Sequence, residues 1–472
     1  MPTDLIIQLD RQASSPLAQQ IATHVRAAVG DRRLAGGDRL PSSRELARDL
    51  GVARAVVQQA YDQLIAEGWV DTRAGSGTYV AYVEPLHHPD RSASGRPAEA
   101  PMADALISLR PGIPWGERSA GPAWRRAWRT VSTMPMPGGY PDPQGLLDLR
   151  IHICAYLGRA RGIACTPAEV VITSGSVHGW RLVLDALATP DWRVAIEDPG
   201  YRSAVAAALS RRLDVVDVAV DDHGLDVPAL GRIDPAPHAV YVTPSHQHPM
   251  GATLPAARRT ELISWAQRTG GLVIEDDYDS EFRYDVAPLP AMAQLDRRNV
   301  VYLGTSSKTF GPGLRLGWLV ADVDRVARLL DYRSAVGDVP TWPTQVAYTS
   351  LLAEGYVDKA VRRARRRYAQ RCAHVCDRLE AFGPVAGGSA GLHVTLLLPP
   401  GVDVEVSTWA LEHGVEVQTV GDFRRSRPGP GGLVIGYGGV DDADLDRALD
   451  VLVEALTAHD VTPRGDRRPA RR

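Results

Sequence analysis

The sequence predicts an N-terminal winged helix-turn-helix of the α+β class, joined to an α/β domain that carries a smaller C-terminal α+β subdomain. Three patterns predict it. Residues 14–83 run as a helix, a helix-turn-helix and a hairpin. From about residue 105, short apolar runs alternate with helical patterns, the order of a mostly parallel sheet with helices on both faces. After residue 360 the order becomes long helix, strand, helix, strand, helix. These patterns set expected boundaries of 1–83 for the first domain, 84–104 for a linker, 105–460 for the second domain and 461–472 for a disordered basic tail. The small subdomain is expected at about 360–460.

In the first domain, Ser14, Ser15 and Pro16 suit a helix start, and Leu17, Ile21, Val25 and Val29 recur behind them at helical spacing. A second helix opens at "PSSRELARDLG", where Ser42 and Glu45 have capping-box spacing and Gly51 supplies the stop. The third runs through "ARAVVQQAYDQLIAEG" and closes at Gly68. On a helical wheel Val56, Val57, Ala60, Tyr61 and Leu64 share one face, with Arg54, Ala55, Gln58 and Asp62 mainly on the other. "WVDTRAGSGTYVA" then alternates apolar and polar residues about Gly75-Ser76-Gly77, as a hairpin does. Segment 84–104 is rich in Pro, Ser and Ala without an apolar period and reads as a flexible linker, its His87 and His88 solvated.

In the second domain the runs "EVVITSG", "RVAIEDPGY", "HAVYVTPS", "GLVIEDDYD", "NVVYLGTSS" and "RLGWLVA" each predict a strand. Beyond them, "HVTLLL" and "LVIGYG" predict the strands of the subdomain. The arginine run from Arg362 to Arg371 falls within a helix there and reads as a solvated or salt-bridged face.

Composition narrows the function classes. A chain of 472 residues with 44% hydrophobic content is long enough for more than one domain. Its net charge of -3 supplies no electrostatic argument for nucleic acid, and residues 1–83 are neutral, with nine arginines against nine acidic residues. The start "MPTDLIIQLD" has no basic region before an apolar stretch, and no apolar run is long enough to span a bilayer, so a cytoplasmic protein with no membrane partner is expected. Four cysteines in this length make no disulfide framework. Cys372 and Cys376, either side of His374, read as buried thiols, and no metal site is predicted.

Lys308, in "GTSSKTFGPGLRLGW", is one of two lysines in a chain that otherwise uses arginine for its cations. Arginine stays protonated and is a poor nucleophile, whereas a buried lysine can be neutral and form a Schiff base. A carbonyl cofactor such as pyridoxal 5'-phosphate (PLP) needs in addition a carboxylate for the pyridinium nitrogen, a phosphate cradle and an aromatic face. Candidates for each stand at the carboxyl end of a predicted strand or at the helix start beyond it, where open α/β sheets bind ligands. Asp276 is placed for the pyridinium and Tyr278 for the phenolic oxygen. Gly175 and Ser176 fall at an expected helix N-terminus suited to phosphate, with Thr305, Ser307 and Arg315 to complete the cradle. Tyr201, in "EDPGY", is the candidate stacking residue. His246 and His248 read as part of a loop of this site rather than as metal ligands.

The ordered set "YPDPQGLLDLR", "VITSGS", "EDPGY", "VTPSHQHPMG", "VIEDDYDSEFRY" and "GTSSKTFGPGLRLGW" resembles the fold-type I PLP enzymes of the aspartate aminotransferase class over residues from about 110 to 458. "LPSSRELARDLGV", "AYDQLIAEGWV" and "GSGTYVA" resemble the GntR-type winged helix. The two in this order resemble the MocR subfamily of bacterial transcription regulators. The resemblance implies a regulator that binds operator DNA and PLP, usually as a head-to-tail homodimer, with Lys308 carrying the PLP Schiff base. It places Val177 and His248 at cofactor-contacting positions where the aminotransferases have other residues, since Asn299 is the only asparagine. It puts Ser43, Arg44, Arg54, Gln58, Arg73 and Gly77 at the DNA, with Arg54 and Gln58 facing bases or nearby phosphates and Arg44 and Arg73 at the backbone or minor groove.

Three departures bear on function. Val434 aligns with the arginine that holds an amino-acid carboxylate in the enzymes, with Arg424, Arg425 and Arg427 in the preceding loop. Val177 and His178 replace a glutamine pair, and Ala53 and Ala55 replace hydroxyl residues that flank the recognition-helix arginine. Two readings follow: a regulator that senses PLP, or an amine or amino acid through it, and an aminotransferase that carries a winged helix. The N-terminal unit and the missing carboxylate arginine favour the first.

Overall fold

The computed structural model describes residues 7–13, 15–31, 33–73, 77–82, 106–115, 121–286, 289–426 and 429–461. The expected linker, the basic tail from 462 onward, Ser14, the hairpin tip and Arg427 lie outside them, as does the side chain of Arg73. The chain divides into two compact units, residues 1–102 and 103–472.

The first unit holds α1 (Leu17–Gly30), α2 (Ser43–Leu50), α3 (Arg54–Ala66), β1 (Val70–Arg73) and β2 (Gly77–Val80). Its core seats Ile21 and Val25 of α1 beside Ala18, Ala22 and Ala28, while Leu17 and Val29, expected in the same stripe, are only half-buried. The alanines let α1 lie against α3, so the stripe centres one residue away from the large side chains. The capping box of α2 is complete: Ser42 Oγ accepts from Glu45 N at 3.3 Å, and Glu45 Oε2 accepts from Ser42 N at 2.9 Å. Gly51 closes the helix at φ 61°, a left-handed conformation that favours glycine. On α3, Val57, Ala60, Tyr61 and Leu64 are buried and Val56 half-buried, with Arg54, Ala55, Gln58 and Asp62 exposed. Tyr61 ties this helix to the segment before α2 through a 2.8 Å bond from its hydroxyl to Pro41 O. β1 and β2 pair antiparallel, Val70 opposite Val80.

The second unit opens with β3 (Ile107–Ser108), α4 (Pro122–Thr133), α5 (Leu147–Arg161), β4 (Val170–Thr173), α6 (Ser176–Leu187), β5 (Arg193–Asp198) and α7 (Arg202–Leu209). There follow β6 (Asp214–Asp221), β7 (Gly224–Leu225), α8 (Val227–Gly231), β8 (Ala239–Val242), α9 (Ala256–Thr269), β9 (Leu272–Asp277), β10 (Val300–Thr305), α10 (Ser307–Phe310) and β11 (Gly317–Val320). Strands β4 to β11 form one sheet in the order β4-β11-β10-β9-β8-β5-β6-β7. β5, β6, β8, β9 and β10 run parallel, and β11 is antiparallel to both of its neighbours. Apolar residues cover both faces, Val240, Val273 and Trp318 on one and Trp180, Tyr241 and Ile274 on the other. The runs named from the sequence supply six of these strands; the two-residue β7 is not among them, nor is β6, because in "DVVDVAVD" the acidic residues fall three and four apart and interrupt both the apolar run and the two-residue period of a strand.

The chain ends with α11 (Val323–Val336), α12 (Trp342–Ala353), α13 (Tyr356–Leu379), β12 (Val385–Ala386), β13 (His393–Leu398), α14 (Val402–Glu412), β14 (Val415–Glu416), β15 (Gln418–Thr419), β16 (Gly431–Gly436) and α15 (Asp442–Ala458). An antiparallel sheet β12-β13-β16-β15 packs against α13, α14 and α15. The arginine-rich helix α13 is laced to α15: Arg367 and Arg371 pair with Asp442, His374 with Asp446 and Arg378 with Asp450. Arg367 also lies 4.8 Å from the Trp115 ring centre.

One buried ion pair anchors α5 to the large sheet. Arg161, 1% exposed, sets Nε 2.5 Å from Asp277 Oδ2, and its other nitrogens donate to Leu289 O at 2.5 Å and Ser245 Oγ at 3.0 Å. Removing one partner of such a pair leaves the other charge buried and uncompensated, at a cost of about 3–5 kcal/mol. Arg161→Ala is therefore expected to lower the unfolding free energy of the second unit by about that amount. A urea titration that shows a loss below about 1 kcal/mol would mean that Asp277 finds other compensation.

Candidate cofactor pocket and nucleic-acid interface

In a parallel strand the side chains alternate between faces, and at the carboxyl end the backbone turns away and leaves a crevice. The carboxyl ends of β4, β5, β8, β9 and β10 frame a cavity of about 210 Å³ here. All eleven residues that the sequence singled out for a cofactor line it: Gly175, Ser176 and Val177 at the start of α6, Tyr201 and His248, Asp276 and Tyr278, then Thr305, Ser307, Lys308 and Arg315. Pro111, Gly112, Thr243 and Pro312 complete the wall.

Lys308 and Asp276 set its electrostatics. Lys308 Nζ donates to Gly112 O at 2.6 Å, and burial holds its pKa below the ordinary lysine value, with Asp279 and Asp276 pulling the other way. Asp276 is 2% exposed, and burial pushes its pKa up to about 7 against the donors Tyr241 and Ser176. Tyr241 donates to Asp276 Oδ2, whereas Oδ1 has no partner among the described residues. A buried carboxylate with an unsatisfied oxygen is a site for a cationic N–H donor.

At the other end of the cavity the groups suit an anion. Gly175, at φ 116°, turns the chain into α6, so backbone N–H groups at the helix start face the cavity. A Cβ added at Gly175 would lie 3.8 Å from both terminal nitrogens of Arg315 and from Thr305 Oγ1, so guanidinium and hydroxyl converge on this turn. Thr305 Oγ1 is 2.9 Å from Ser307 Oγ and accepts from Ser307 N at 3.1 Å. Arg315 itself sits at φ 51°, a conformation costly for a side chain of its size and held by the surrounding loop.

The remaining wall is uncharged. Burial pushes the His248 pKa down to about 3, so its ring is neutral, edge-on to Tyr201 with ring centres 5.8 Å apart. The Tyr278 hydroxyl donates to His246 O at 3.0 Å and stands 3.1 Å from His246 Nδ1, which is itself 2.8 Å from Asp279. His246, Asp279 and His393 thus form a buried cluster that orients Tyr278. His178 stands outside the cavity, bridging Ser174 N at 2.9 Å and Asp338 at 3.0 Å. Val434 packs with Val420, Phe423 and Met250 and does not line the cavity. Arg424 folds back on Pro430 O, and Arg425 pairs with Asp217 at 3.4 Å.

Sequence reasoning missed Gly112, whose carbonyl meets Lys308 across 196 positions, and Tyr241, the donor to Asp276. Tyr241 carried a readable signal, a polar aromatic in the otherwise apolar run "HAVYV"; Gly112 carried none.

In the first unit, Arg44, Arg54, Gln58 and Gly77 are exposed and Ser43 is half-buried. Arg54 Nε donates to Ser43 Oγ at 3.2 Å, which joins the start of α3 to the start of α2, and Gln58 donates to Asp62 at 2.9 Å. Ala53 caps α3 without a side-chain bond. The backbone of Arg73 pairs with Gly77 at the base of the hairpin. Arg39 joins this set unannounced: its Nε lies 3.1 Å from a Cβ built on Gly77.

Residues 110–452 match the family described as aminotransferase class I and II, and residues 17–80 match the bacterial regulatory proteins of the gntR family. The chain is 35% identical to the HTH-type pyridoxine biosynthesis transcriptional regulator PdxR of Corynebacterium glutamicum, over 97% of this chain and 100% of that protein. It is 30% identical to the probable rhizopine catabolism regulatory protein MocR of Rhizobium meliloti, over 96% of each. Among solved structures, the α-aminoadipate aminotransferase LysN of Thermus thermophilus is 27% identical with a TM-score of 0.68, over 75% of this chain and 92% of that one. A gntR-type winged helix-turn-helix followed by a fold-type I aminotransferase domain, matched end to end by such regulators, places the chain in the MocR subfamily of GntR-type transcription regulators.

Proposed function

We propose that this protein is a PLP-binding transcription regulator: residues 1–83 bind operator DNA, 105–460 receive the cofactor, and 84–104 link them. The unsatisfied Asp276 Oδ1 and a buried Lys308 with a lowered pKa, lining one cavity with an anion cradle, are the observation that carries the reading. The residues fit PLP at each of its groups. Asp276 faces the pyridinium nitrogen, Tyr278 the phenolic oxygen, and Tyr201 and His248 the ring. Gly175, Ser176, Val177, Thr305, Ser307 and Arg315 hold the phosphate. Lys308 is the nucleophile for the aldehyde. When bound, PLP supplies an electrophilic carbon that captures primary amines.

Sensing rather than turnover follows from what surrounds that cavity. An aminotransferase fixes its substrate carboxylate with a charged anchor so that the Cα proton points at the freed lysine. Val434 is apolar, and His248 is neutral. Loss of one charge-assisted contact of about 1.5–3 kcal/mol weakens binding at least tenfold. The name of the C. glutamicum relative, a regulator of pyridoxine biosynthesis, supports PLP itself as the signal. In a homodimer two winged helices meet two half-sites, and PLP alters that engagement only if it favours one arrangement over another.

Protein incubated with PLP is expected to turn yellow, and borohydride followed by peptide mapping should place the pyridoxyl mass on Lys308. Label on Lys359, or none, overturns the assignment.

Asp276→Asn tests the carboxylate. Burial raises the folded-state pKa of Asp276 from its ordinary value to about 7, so folding favours the protonated form. Its contribution to stability is full below the unfolded pKa and is lost as pH rises through about 7. At pH 8 the variant, spared a buried charge, should unfold at higher urea than the parent when both are ligand-free, and once loaded should release PLP faster. Equal PLP retention in the two proteins would count against the pyridinium role.

Arg54→Ala is expected to weaken operator binding about fivefold or more without changing PLP uptake, since a good base or phosphate contact is worth about 1–3 kcal/mol. The parent should change its operator affinity or footprint on adding PLP. Rapid conversion of bound PLP to its amine form by common amino acids, with DNA binding indifferent to PLP, would favour the enzyme instead.

A further inference from the structure

The four cysteines are reduced and stand as two neighbouring pairs. Cys154 lies in α5, and Cys165 returns alongside it because Gly162, at φ 70°, reverses the chain after Arg161. Their sulfurs are 3.5 Å apart, and both side chains are half-buried against the core, close enough to the surface for a small oxidant to reach them. A disulfide bond is about 2.05 Å long, so the sulfurs need to approach by only about 1.5 Å, within reach of a side-chain rotation. Cys372 and Cys376 differ. They are one turn apart on α13, a spacing that holds Cβ atoms about 5–6 Å apart, whereas a disulfide needs about 3.8 Å.

We infer that Cys154 and Cys165 form an oxidation site that closes into an intramolecular disulfide on reaction with a hydroperoxide. The Cys154 thiolate attacks one peroxide oxygen; the O–O bond breaks, the leaving hydroxide takes up a proton as water, and Cys154 carries a sulfenic acid. The Cys165 sulfur then attacks the Cys154 sulfur, the S–O bond breaks, and a second water leaves. Two thiols lose two electrons and two protons, and one hydrogen peroxide becomes two waters. The order follows from the shared S–H···S hydrogen bond: Cys165 donates, which lowers the Cys154 pKa and raises its own. Burial and the Glu169 carboxylate oppose that lowering at Cys154, and Arg150, one turn earlier on α5, adds to it. The closed ring encloses Arg161, which holds Asp277 and Ser245, so the cross-link restrains the end of α5 where it grips the sheet. In a reducing compartment such a bond is transient, formed when oxidant rises and removed by dithiol reductants.

The full-length protein, treated with a small excess of hydrogen peroxide, denatured and alkylated, decides the matter. Trypsin cuts after Arg159 and Arg161, so Cys154 and Cys165 fall on separate peptides. We expect those two peptides joined in a mass that dithiothreitol splits, with Cys372 and Cys376 still alkylated. In Cys165→Ser the peroxide product should stay open and take a dimedone label on Cys154, which the parent does not. The map on the parent needs no variant to fold. Four alkylated cysteines after peroxide, a link to Cys372 or Cys376, or a cross-link between chains on a non-reducing gel would each overturn the inference.

Discussion

Three consecutive carboxylates, Glu275, Asp276 and Asp277, are buried at the end of β9, and the large domain is arranged around making that tolerable. Each buried charge costs several kcal/mol unless it is paired or hydrogen-bonded. Strand alternation sends Glu275 and Asp277 to one face and Asp276 to the other. Glu275 accepts from Met292 N at 2.9 Å and Ala293 N at 3.0 Å. Asp277 takes Arg161 and the Tyr302 hydroxyl, the latter at 2.6 Å. Asp276 and Asp277 each keep an Oδ1 without a hydrogen-bond partner among the described residues, but Asp277 is paired with Arg161, whereas Asp276 lines the cavity. Two carboxylates hold the sheet to its helices; the third is kept for a ligand.

The same economy appears at the other groups of the cavity. Lys308 is held by a single carbonyl rather than by a carboxylate, and burial lowers its pKa instead of an ion pair raising it. The cradle for an anion is assembled from a helix start, two hydroxyls and Arg315 in a strained backbone conformation, from segments that leave β4 and β10 and enter β11. By contrast Val434, at the position read from the sequence as that of the enzymes' carboxylate arginine, packs with Phe423 outside the cavity, and Phe423 meets the neutral ring of His248 edge-on.

The DNA-binding unit faces a different constraint. With no net charge it cannot rely on counterion release over a broad surface, so affinity depends on where a few arginines are aimed. The Ser43–Arg54 bond aligns the starts of α2 and α3, and Arg39 stands beside the hairpin at Gly77. These are short-range devices that order the guanidinium groups before any partner arrives.

Local patterns in the sequence determined much of this. The capping box at Ser42 and Glu45, the left-handed stop at Gly51, the buried face of α3 and the apolar runs of the central sheet all depend on neighbours within a few residues. Nine of the eleven cavity residues were legible from strand ends and helix starts, which converge in an α/β sheet by topology, and Val177 and His248 came from the family resemblance. What the chain does not announce is any pairing set by residues far apart. β6 escaped because acidic residues three and four apart interrupt its apolar run, and the shift of the α1 stripe onto its alanines came from the close approach of α3. The Gly112 carbonyl on Lys308, Tyr241 on Asp276, Arg161 on Asp277 and the meeting of Cys154 with Cys165 were decided only when the chain packed. Periodicity records which face of an element is apolar; which polar atom stands opposite which is settled by the tertiary structure, because it depends on distances that no local repeat encodes.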